Sequence, residues 1–214
     1  MDTSIFGLYE IFSNIIPGLI LLVTLWEFVE TVWHAPTFTI DPNIFLVFFV
    51  FLSFILGVAI QALSAPFEKF VFSVGGNGYP SSTLLGPKDD TFPEDFKKDI
   101  RRLAHEHLGT ATDSTSQHIF DLCYTYLVQK NISKRVTTFL NMYSFSRNMS
   151  VTMLVEAGVL FTWAALTSTS LLVAGLFSLV LAFLFYNRFM RYSRSFATEV
   201  FRSYYVDQTS RRSK

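Results

Sequence analysis

Residues 43–65 read NIFLVFFVFLSFILGVAIQALSA, an apolar run that contains no charged side chain. A helix needs roughly 20 apolar residues to cross the hydrocarbon layer of a bilayer, so this run predicts a transmembrane helix, with Pro66 at its inner end. Three further apolar runs lie at about residues 11–32, 149–166 and 170–186. The sequence therefore predicts an all-α integral membrane protein with four transmembrane helices arranged as two hairpins.

Pro17 and Gly18 fall inside the first of these runs. Proline breaks most water-soluble helices because it lacks an amide hydrogen and its ring clashes with the preceding turn. Within a membrane, neighbouring helices can satisfy the carbonyl that it frees. We therefore expect a kinked first helix rather than a break.

Lysine and arginine residues are distributed unevenly along the chain. Ten of the seventeen lie between Lys69 and Arg147, and the other seven lie between Arg188 and Lys214. Cationic side chains close to transmembrane helices are retained on the cytoplasmic face. The distribution predicts a multi-pass protein of the plasma (inner) membrane, with both termini and the central segment in the cytoplasm.

Composition divides the chain into four segments. Residues 1–66 and 149–190 are the two transmembrane hairpins, residues 67–148 are a cytoplasmic helical insert, and residues 191–214 are a cytoplasmic C-terminal helix and tail. Cys123 is the single cysteine, so no intramolecular disulfide can form, which suits a reducing cytoplasm.

Three helices are predicted within the insert. The first starts with a Thr-Phe-Pro-Glu capping box at Thr91. Ser114 or Ser116 is expected to cap the second, which runs through Gln129, and the third begins near Ser133 and continues into the membrane. One side of the first helix is apolar and carries Phe96, Ile100, Leu103 and Leu108.

Four cationic side chains follow that same helix, largely away from its apolar side: Lys97, Lys98, Arg101 and Arg102. Such a patch could bind anionic lipid headgroups or a small phosphorylated ligand. The alternative interpretation is a solvated face that keeps the insert in the cytoplasm.

Glu156 is the most suggestive single residue for a functional site. It lies about 15 Å from the outer turn, close to the middle of the third transmembrane helix. Because a carboxyl group there is costly, such residues mark an ion path, a proton site or a polar contact between helices. We expect a protonated acid hydrogen-bonded to Ser53 and Ser178, which fall at similar depth. A structural contact is our leading interpretation, and pore lining, gating or proton handling is the alternative.

Small residues recur at intervals of four on two of the transmembrane helices. They are Ser53, Gly57, Gln61 and Ala65 on the second helix, and Ala174, Ser178 and Ala182 on the fourth. This spacing permits close helix packing, either within one subunit or between subunits around a pore. We expect a homo-oligomer, with Gln61 near the inner interface, where it could line a cytoplasmic mouth.

No motif for catalysis, metal binding or cofactor binding occurs in the sequence. A Cys-X-X-Cys pair, a His-Glu-X-X-His arrangement and a phosphate-binding loop are all absent. We therefore expect no enzyme activity, no metal and no cofactor. The lipid bilayer and a second copy of the chain are the expected partners, together with a cytoplasmic protein or phosphorylated ligand, and no direct nucleic-acid binding is expected.

Three features of the sequence resemble those of known proteins: the Ile-Pro-Gly-Leu sequence at residues 16–19, the two-hairpin layout and the Phe-Ser-Arg-Asn sequence at residues 145–148. With these features the chain resembles uncharacterised prokaryotic four-span membrane proteins. Some of these are encoded among antiviral defence genes, where they sense infection or permeabilise the membrane. The resemblance implies an oligomeric membrane sensor or effector, whose cytoplasmic segment receives a ligand or partner signal and alters the membrane part. The alternative is a small constitutive channel or transporter.

Overall fold

The computed structural model describes residues 4–33, 41–74, 78–109, 114–132, 134–167 and 169–212, with the backbone alone for residues 4–12, 33, 42, 108 and 212. These described residues form seven α-helices and no strand, which confirms the predicted all-α fold. The helices are α1 (Ser4–Trp33), α2 (Pro42–Val74), α3 (Pro80–Thr83), α4 (Glu94–Leu108), α5 (Ser116–Lys130), α6 (Lys134–Leu166) and α7 (Leu171–Arg212). Four of them, α1, α2, α6 and α7, are long and apolar enough to cross a membrane, as predicted.

Two prolines lie inside long helices. Pro17 is accommodated within α1, as predicted, but the prediction that Pro66 ends the second helix is wrong, because α2 continues to Val74. Proline holds φ at a helical value and removes a single amide donor, so a helix can pass through it when nearby contacts favour continuation. The predicted third insert helix runs unbroken into the third apolar run, as α6.

Both predicted helix caps in the insert are wrong. The residue that precedes α4 is Pro93, with no side-chain cap, since the hydroxyl group of Thr91 instead accepts a hydrogen bond of 2.6 Å from Arg194. The cap of α5 is Thr115, whose hydroxyl group accepts a hydrogen bond from the amide of His118. Hydroxyl-bearing residues lie at 114, 115 and 116, so sequence alone does not choose among them.

The chain divides into two compact units. Unit 1 contains Met1–Lys69 and Ser144–Phe189, and unit 2 contains Phe70–Tyr143 and Met190–Lys214. Helices α2, α6 and α7 each contribute residues to both units. Residues 191–214, which the sequence pattern predicts to be a separate C-terminal segment, are part of unit 2.

Within unit 1, α1 and α2 approach each other closely at two glycines. A Cβ atom on Gly57 would lie 2.0 Å from the carbonyl oxygen of Asn14, and one on Gly18 would lie 1.8 Å from the carbonyl oxygen of Ser53. Both separations are far shorter than van der Waals contact, so only glycine fits at these two positions. Gly57 therefore packs within the subunit, the first of the two alternatives for the small-residue stripe.

Helix α6 is the most enclosed of the four long helices. Val151 packs in a small apolar cluster with Leu21 of α1 and Ile60 of α2. On another side, the hydroxyl group of Ser150 donates a hydrogen bond of 3.1 Å to the carbonyl oxygen of Ala182 in α7. The centre of unit 1 is thus built around α6.

Unit 2 has a hydrophobic core of its own, to which α4, α5, α6 and α7 contribute. The predicted apolar residues Ile100 and Leu103 are fully buried in it, and the side chain of Leu108 lies outside the described residues. Helix α7 supplies Tyr204, whose hydroxyl group donates to the carbonyl oxygen of Leu103. Burial also raises the pKa of the Cys123 thiol to about 12, so that little reactive thiolate forms at neutral pH.

Candidate functional site

The Glu156 carboxylate in unit 1 accepts a hydrogen bond from the hydroxyl group of Thr24 in α1, at 3.3 Å. The predicted partners are different, and that prediction is wrong. Ser53 donates instead to the carbonyl oxygen of Phe49 in its own helix, and Ser178 is buried and makes no hydrogen bond with Glu156 among the described residues. Counting along the sequence could have identified Thr24 as a partner. Thr24 lies nine residues before the end of α1 and Glu156 lies ten residues before the end of α6, so the two residues have similar depth.

The small-residue stripe of α2 does not stay on one face. Ser53 and Gly57 are buried against α1, but Gln61 and Ala65 are exposed at the surface of the chain. Four residues turn a helix by about 400°, so each step of the stripe drifts by about 40°. After two steps Ile60 has replaced Gln61 on the buried face.

The stripe of α7 divides in the same manner. Ser178 and Ala182 are buried, while Ala174 is exposed. Gly175 takes the place of Ala174, and its missing side chain leaves room for the ring of Phe161, which a Cβ atom would approach to 2.6 Å. Ser178 and Ala182 therefore pack within a single chain.

A second feature of α6, which the sequence does not predict, is a row of polar atoms without hydrogen-bond partners among the described residues. Asn148 and Thr152 are 1% and 0% exposed, and the Asn148 carbonyl oxygen and the Thr152 hydroxyl group have no hydrogen-bond partner among the described residues. The same holds for the indole N–H of Trp163, further along α6. With Glu156, these positions fall within about 80° of the helix circumference. We call Asn148, Thr152, Glu156 and Trp163 the polar stripe.

Helix α1 runs beside the polar stripe in the same direction. Thr24 contacts Glu156, and Phe28, one turn later, makes an edge-to-face contact with Trp163 at a centroid distance of 5.9 Å. Asn14 lies ten residues before Thr24, and its side-chain oxygen is likewise buried without a partner in the described structure. Unpaired oxygen atoms therefore lie about 15 Å from the Thr24–Glu156 contact on α1 and about 12 Å from it on α6.

Glu68 of α2 and Arg147 of α6 form an ion pair in unit 1, next to the first residue of the polar stripe. Both side chains are mostly buried, at 15% and 13% exposure. A mostly buried pair of this kind holds its two helices in register, because removal of either partner leaves an uncompensated charge. The charge of Arg147 is therefore paired with Glu68 rather than with Glu156. Glu156 is the titratable side chain of the polar stripe.

The four predicted cationic residues of α4 do not form one patch. Lys97 is buried and donates hydrogen bonds to the carbonyl oxygens of Gly86 and Asp89, and Arg101 donates to the carbonyl oxygen of Leu85. Only two members face outward: Lys98 is exposed, and Arg102 pairs with Asp99 at 2.6 Å. The patch is thus divided between an inward face and a solvated face.

A wide groove of about 1230 Å³ lies elsewhere on unit 2, lined by residues 78–91 and by the start of the C-terminal part of α7. Lys88 and Arg191 are exposed on its wall. Arg194 also lines it and donates hydrogen bonds to Asp89 at 2.9 Å and to Thr91. Asp90 also lines the groove, and Asp89 pairs with Arg194, so cationic side chains outnumber acids there only slightly. Lys88 and Arg191 are the exposed cations of the groove that suit an anionic group such as a phosphate.

Asp89 makes the stability of unit 2 sensitive to acid. Burial alone would raise the pKa of Asp89, but hydrogen bonds from Thr91 and the charges of Arg194 and Lys97 outweigh it and hold the pKa below 3.8. A depressed pKa stabilises the fold above the ordinary value and ceases to do so as the pH falls through the folded-state pKa. We therefore expect Asp89→Asn to destabilise the protein at pH 6 and to lose this effect below pH 3.8.

The measurement is thermal unfolding of the two proteins in detergent across that pH range. Asp99→Asn is the matched control, since Asp99 is an acid of unit 2 whose side chain pairs at the surface with Arg102 and has no comparable set of contacts among the described residues. A difference between wild type and Asp89→Asn that stays constant down to the lowest pH would contradict the expectation.

Comparison of the chain with protein-family models, with curated proteins and with solved structures found no match. No relative therefore assigns a role to any residue described above.

Proposed function

We propose that this protein is an oligomeric membrane sensor or effector. In this proposal unit 2 lies in the cytoplasm and receives a phosphorylated ligand or a partner protein, and unit 1 responds within the plasma (inner) membrane. The supporting observation is that unit 2 has a hydrophobic core of its own and a groove with Lys88 and Arg191 exposed on its wall, and yet α6 and α7 also belong to unit 1. A change in unit 2 would therefore act on helices that unit 1 shares. Antiviral defence is the setting that the resemblance at residues 16–19 and 145–148 suggests.

The proposed orientation follows from the distribution of positive charge. Lysine and arginine are absent from the segments between α1 and α2 and between α6 and α7, as is typical of loops outside the cytoplasm. A cysteine introduced at Thr169 should react with an impermeant thiol reagent added to intact cells, whereas one at Ser82 should not. Labelling at Ser82 would place unit 2 outside and end the proposal.

Self-association is proposed through α6, because the stripes on α2 and α7 are partly used within the chain. Gly158, Thr162 and Ala165 form an exposed face of small residues on α6, and a Cβ atom on Gly158 would meet no atom within 4 Å. Small residues let helices from two subunits approach closely in lipid. We expect Gly158→Leu to shift the protein from oligomer to monomer in mild detergent, as measured by light scattering.

The control for that shift is Val173→Ala, which truncates an exposed apolar side chain of α7, away from the proposed face of α6. It should leave the oligomer intact. Wild-type protein that is monomeric in mild detergent and in nanodiscs would refute the oligomer outright.

The sensor proposal is tested by ligand binding and by release of liposome contents. Nucleoside mono-, di- and triphosphates are the probes, and the readouts are the unfolding temperature and the release of K⁺ or a small dye. A ligand at 100 times its Kd should stabilise the protein by about 2.7 kcal/mol. Lys88→Ala with Arg191→Ala should remove the effect, whereas the control Lys98→Ala should preserve it.

A constitutive channel or transporter is the second candidate, and the polar stripe of unit 1 favours it. The same liposomes separate the two functions. Release of K⁺ or dye without any addition favours the constitutive channel, whereas release that requires a probe or a cytoplasmic protein favours the sensor.

A further inference from the structure

Unpaired polar atoms inside a transmembrane helix need a partner from outside the protein chain. Leaving a buried donor or acceptor unbonded costs about 1–3 kcal/mol. The polar stripe carries three such atoms, on Asn148, Thr152 and Trp163. Water is the usual partner of buried groups that find none in the protein, provided that the site is polar and leaves room for it. The stripe offers a polar side chain at every fourth residue from Asn148 to Glu156, and a seven-residue interval then separates Glu156 from Trp163. Water is the partner that suits the polar part of the stripe.

The spacing of the stripe matches a file of single water molecules. Asn148, Thr152 and Glu156 follow one another at four-residue intervals, which is about 6 Å along the helix axis. Two hydrogen bonds between oxygen atoms, each of about 2.8 Å, span nearly the same distance. One water molecule can therefore bridge each adjacent pair of side chains.

Exposure changes along the stripe in one direction. Trp163 and Glu156 are half-buried, whereas Thr152 and Asn148 are closed off from the surface of the chain. Asn14 of α1 provides a further buried oxygen atom, without a partner among the described residues, beyond that closed end. The unpaired oxygens thus continue inward from a carboxyl group that is partly open to its surroundings.

We propose that the polar stripe lines a file of water molecules through unit 1, and that protons move along this file by way of Glu156. A metal cation is a poorer fit, because each level of the stripe offers one oxygen ligand where Ca²⁺ requires six to eight. This function stands apart from the proposed sensor, since a proton path needs no cytoplasmic ligand.

The proton step involves the two oxygen atoms of the Glu156 carboxyl group. A proton from water on the Trp163 side forms an O–H bond with one oxygen, and the carboxyl group then releases a proton to water on the Thr152 side. The hydroxyl group of Thr152 accepts a hydrogen bond and donates its own, and the side-chain amide of Asn148, which has both an acceptor oxygen and donor N–H groups, holds a water in line. One proton moves in each cycle, and the carboxyl group returns to its initial state.

Water along the stripe is tested with silver ions, which are small and react with thiolates. Thr152→Cys and Met153→Cys are compared in liposomes in a Cys123→Ala background, because both positions are almost fully buried, at 0% and 3% exposure, on different sides of α6. Thiolate forms only where water reaches, so we expect Thr152→Cys to react about tenfold faster. Equal rates would show a dry stripe and overturn the proposal. Asn148→Cys and Met149→Cys provide a second matched pair should either variant fail to fold.

Proton movement is measured in the same liposomes with an internal pH dye and a K⁺ diffusion potential. Wild-type protein should acidify the interior faster than empty liposomes do, and Glu156→Gln should reduce that rate about tenfold. Thr152→Val should also reduce it, while Glu30→Gln, which changes an exposed acid near the end of α1, should not. Wild-type flux equal to that of empty liposomes, or an undiminished flux in Glu156→Gln, would overturn the proton path.

Discussion

Gly57→Ala is expected to destabilise unit 1 of this protein by about 3 kcal/mol or more, although it adds a single methyl group. The added carbon would lie 2.0 Å from the carbonyl oxygen of Asn14 and 2.9 Å from its Cα atom. Both are backbone atoms of a helix, so no side chain can rotate away. Relief requires α1 and α2 to separate along their contact, which also loosens the neighbouring contact at Gly18.

Gly158→Ala provides the matched control, because it makes the same chemical change in another long helix with nothing within 4 Å of the added carbon. Alanine favours helix over glycine by about 1 kcal/mol, so this variant should be as stable as wild type or slightly more stable. Thermal unfolding in a detergent that dissociates any oligomer gives the comparison, because Gly158 also lies on the face proposed for self-association. Equal unfolding temperatures for Gly57→Ala and wild type would show that the helices do not cross as described.

Lys97→Met should destabilise unit 2 by about 3 kcal/mol, because it removes charged hydrogen bonds to otherwise buried acceptors. The ammonium group donates to the carbonyl oxygens of Gly86 and Asp89, at 2.9 and 2.6 Å, and to the carboxylate of Glu94 at 2.7 Å. Glu94 is 63% exposed and can be hydrated, so most of the loss comes from the two carbonyl groups. Methionine preserves the apolar stem, which confines the change to the charge and its hydrogen bonds.

Lys98→Met tests the opposite case at the next position. Lys98 is exposed, so its replacement should change stability by no more than about 0.5 kcal/mol. Limited proteolysis supplies a second measurement: the segment between Leu84 and Thr91 should be cleaved more readily in Lys97→Met, because its carbonyl groups have lost their shared donor. Similar behaviour of the two variants in both measurements would show that Lys97 does not organise this segment.

The sequence predicts the long helices well because each depends on local composition. Residues 43–65 are apolar enough to span a bilayer in any packing arrangement, and the helix is found. The predictions fail where the contacts of a side chain depend on a partner that is distant in the sequence. Thr91 has the sequence context of a helix cap, but Arg194, more than a hundred positions away, takes its hydroxyl group.

The candidate site likewise combines features that depend on local sequence with features that depend on distant partners. The depth of Glu156 could be counted from the end of its helix, whereas its partner Thr24 depends on which helix lies beside α6. Lys97 follows a polar pattern, yet it is 3% exposed because a non-helical segment turns its carbonyl groups toward it. The spacing of Asn148 and Thr152 in the sequence does not show whether their side-chain oxygens have hydrogen-bond partners. That depends on which side chains surround them in the folded structure.

The core of unit 2 has a consequence for how the protein is made. Leu127 is the last core residue of α5, and Phe201 of α7 is seventy-four residues further along the chain. Ribosomes add about 5–20 residues per second, so roughly 4–15 seconds pass between the synthesis of these two residues. During that interval the apolar faces of α4 and α5 lack the aromatic side chains of α7 that cover them. Nascent chains of this protein should therefore depend on chaperones until translation is nearly complete, and a premature stop after residue 190 should leave a product that is degraded rather than a smaller functional protein.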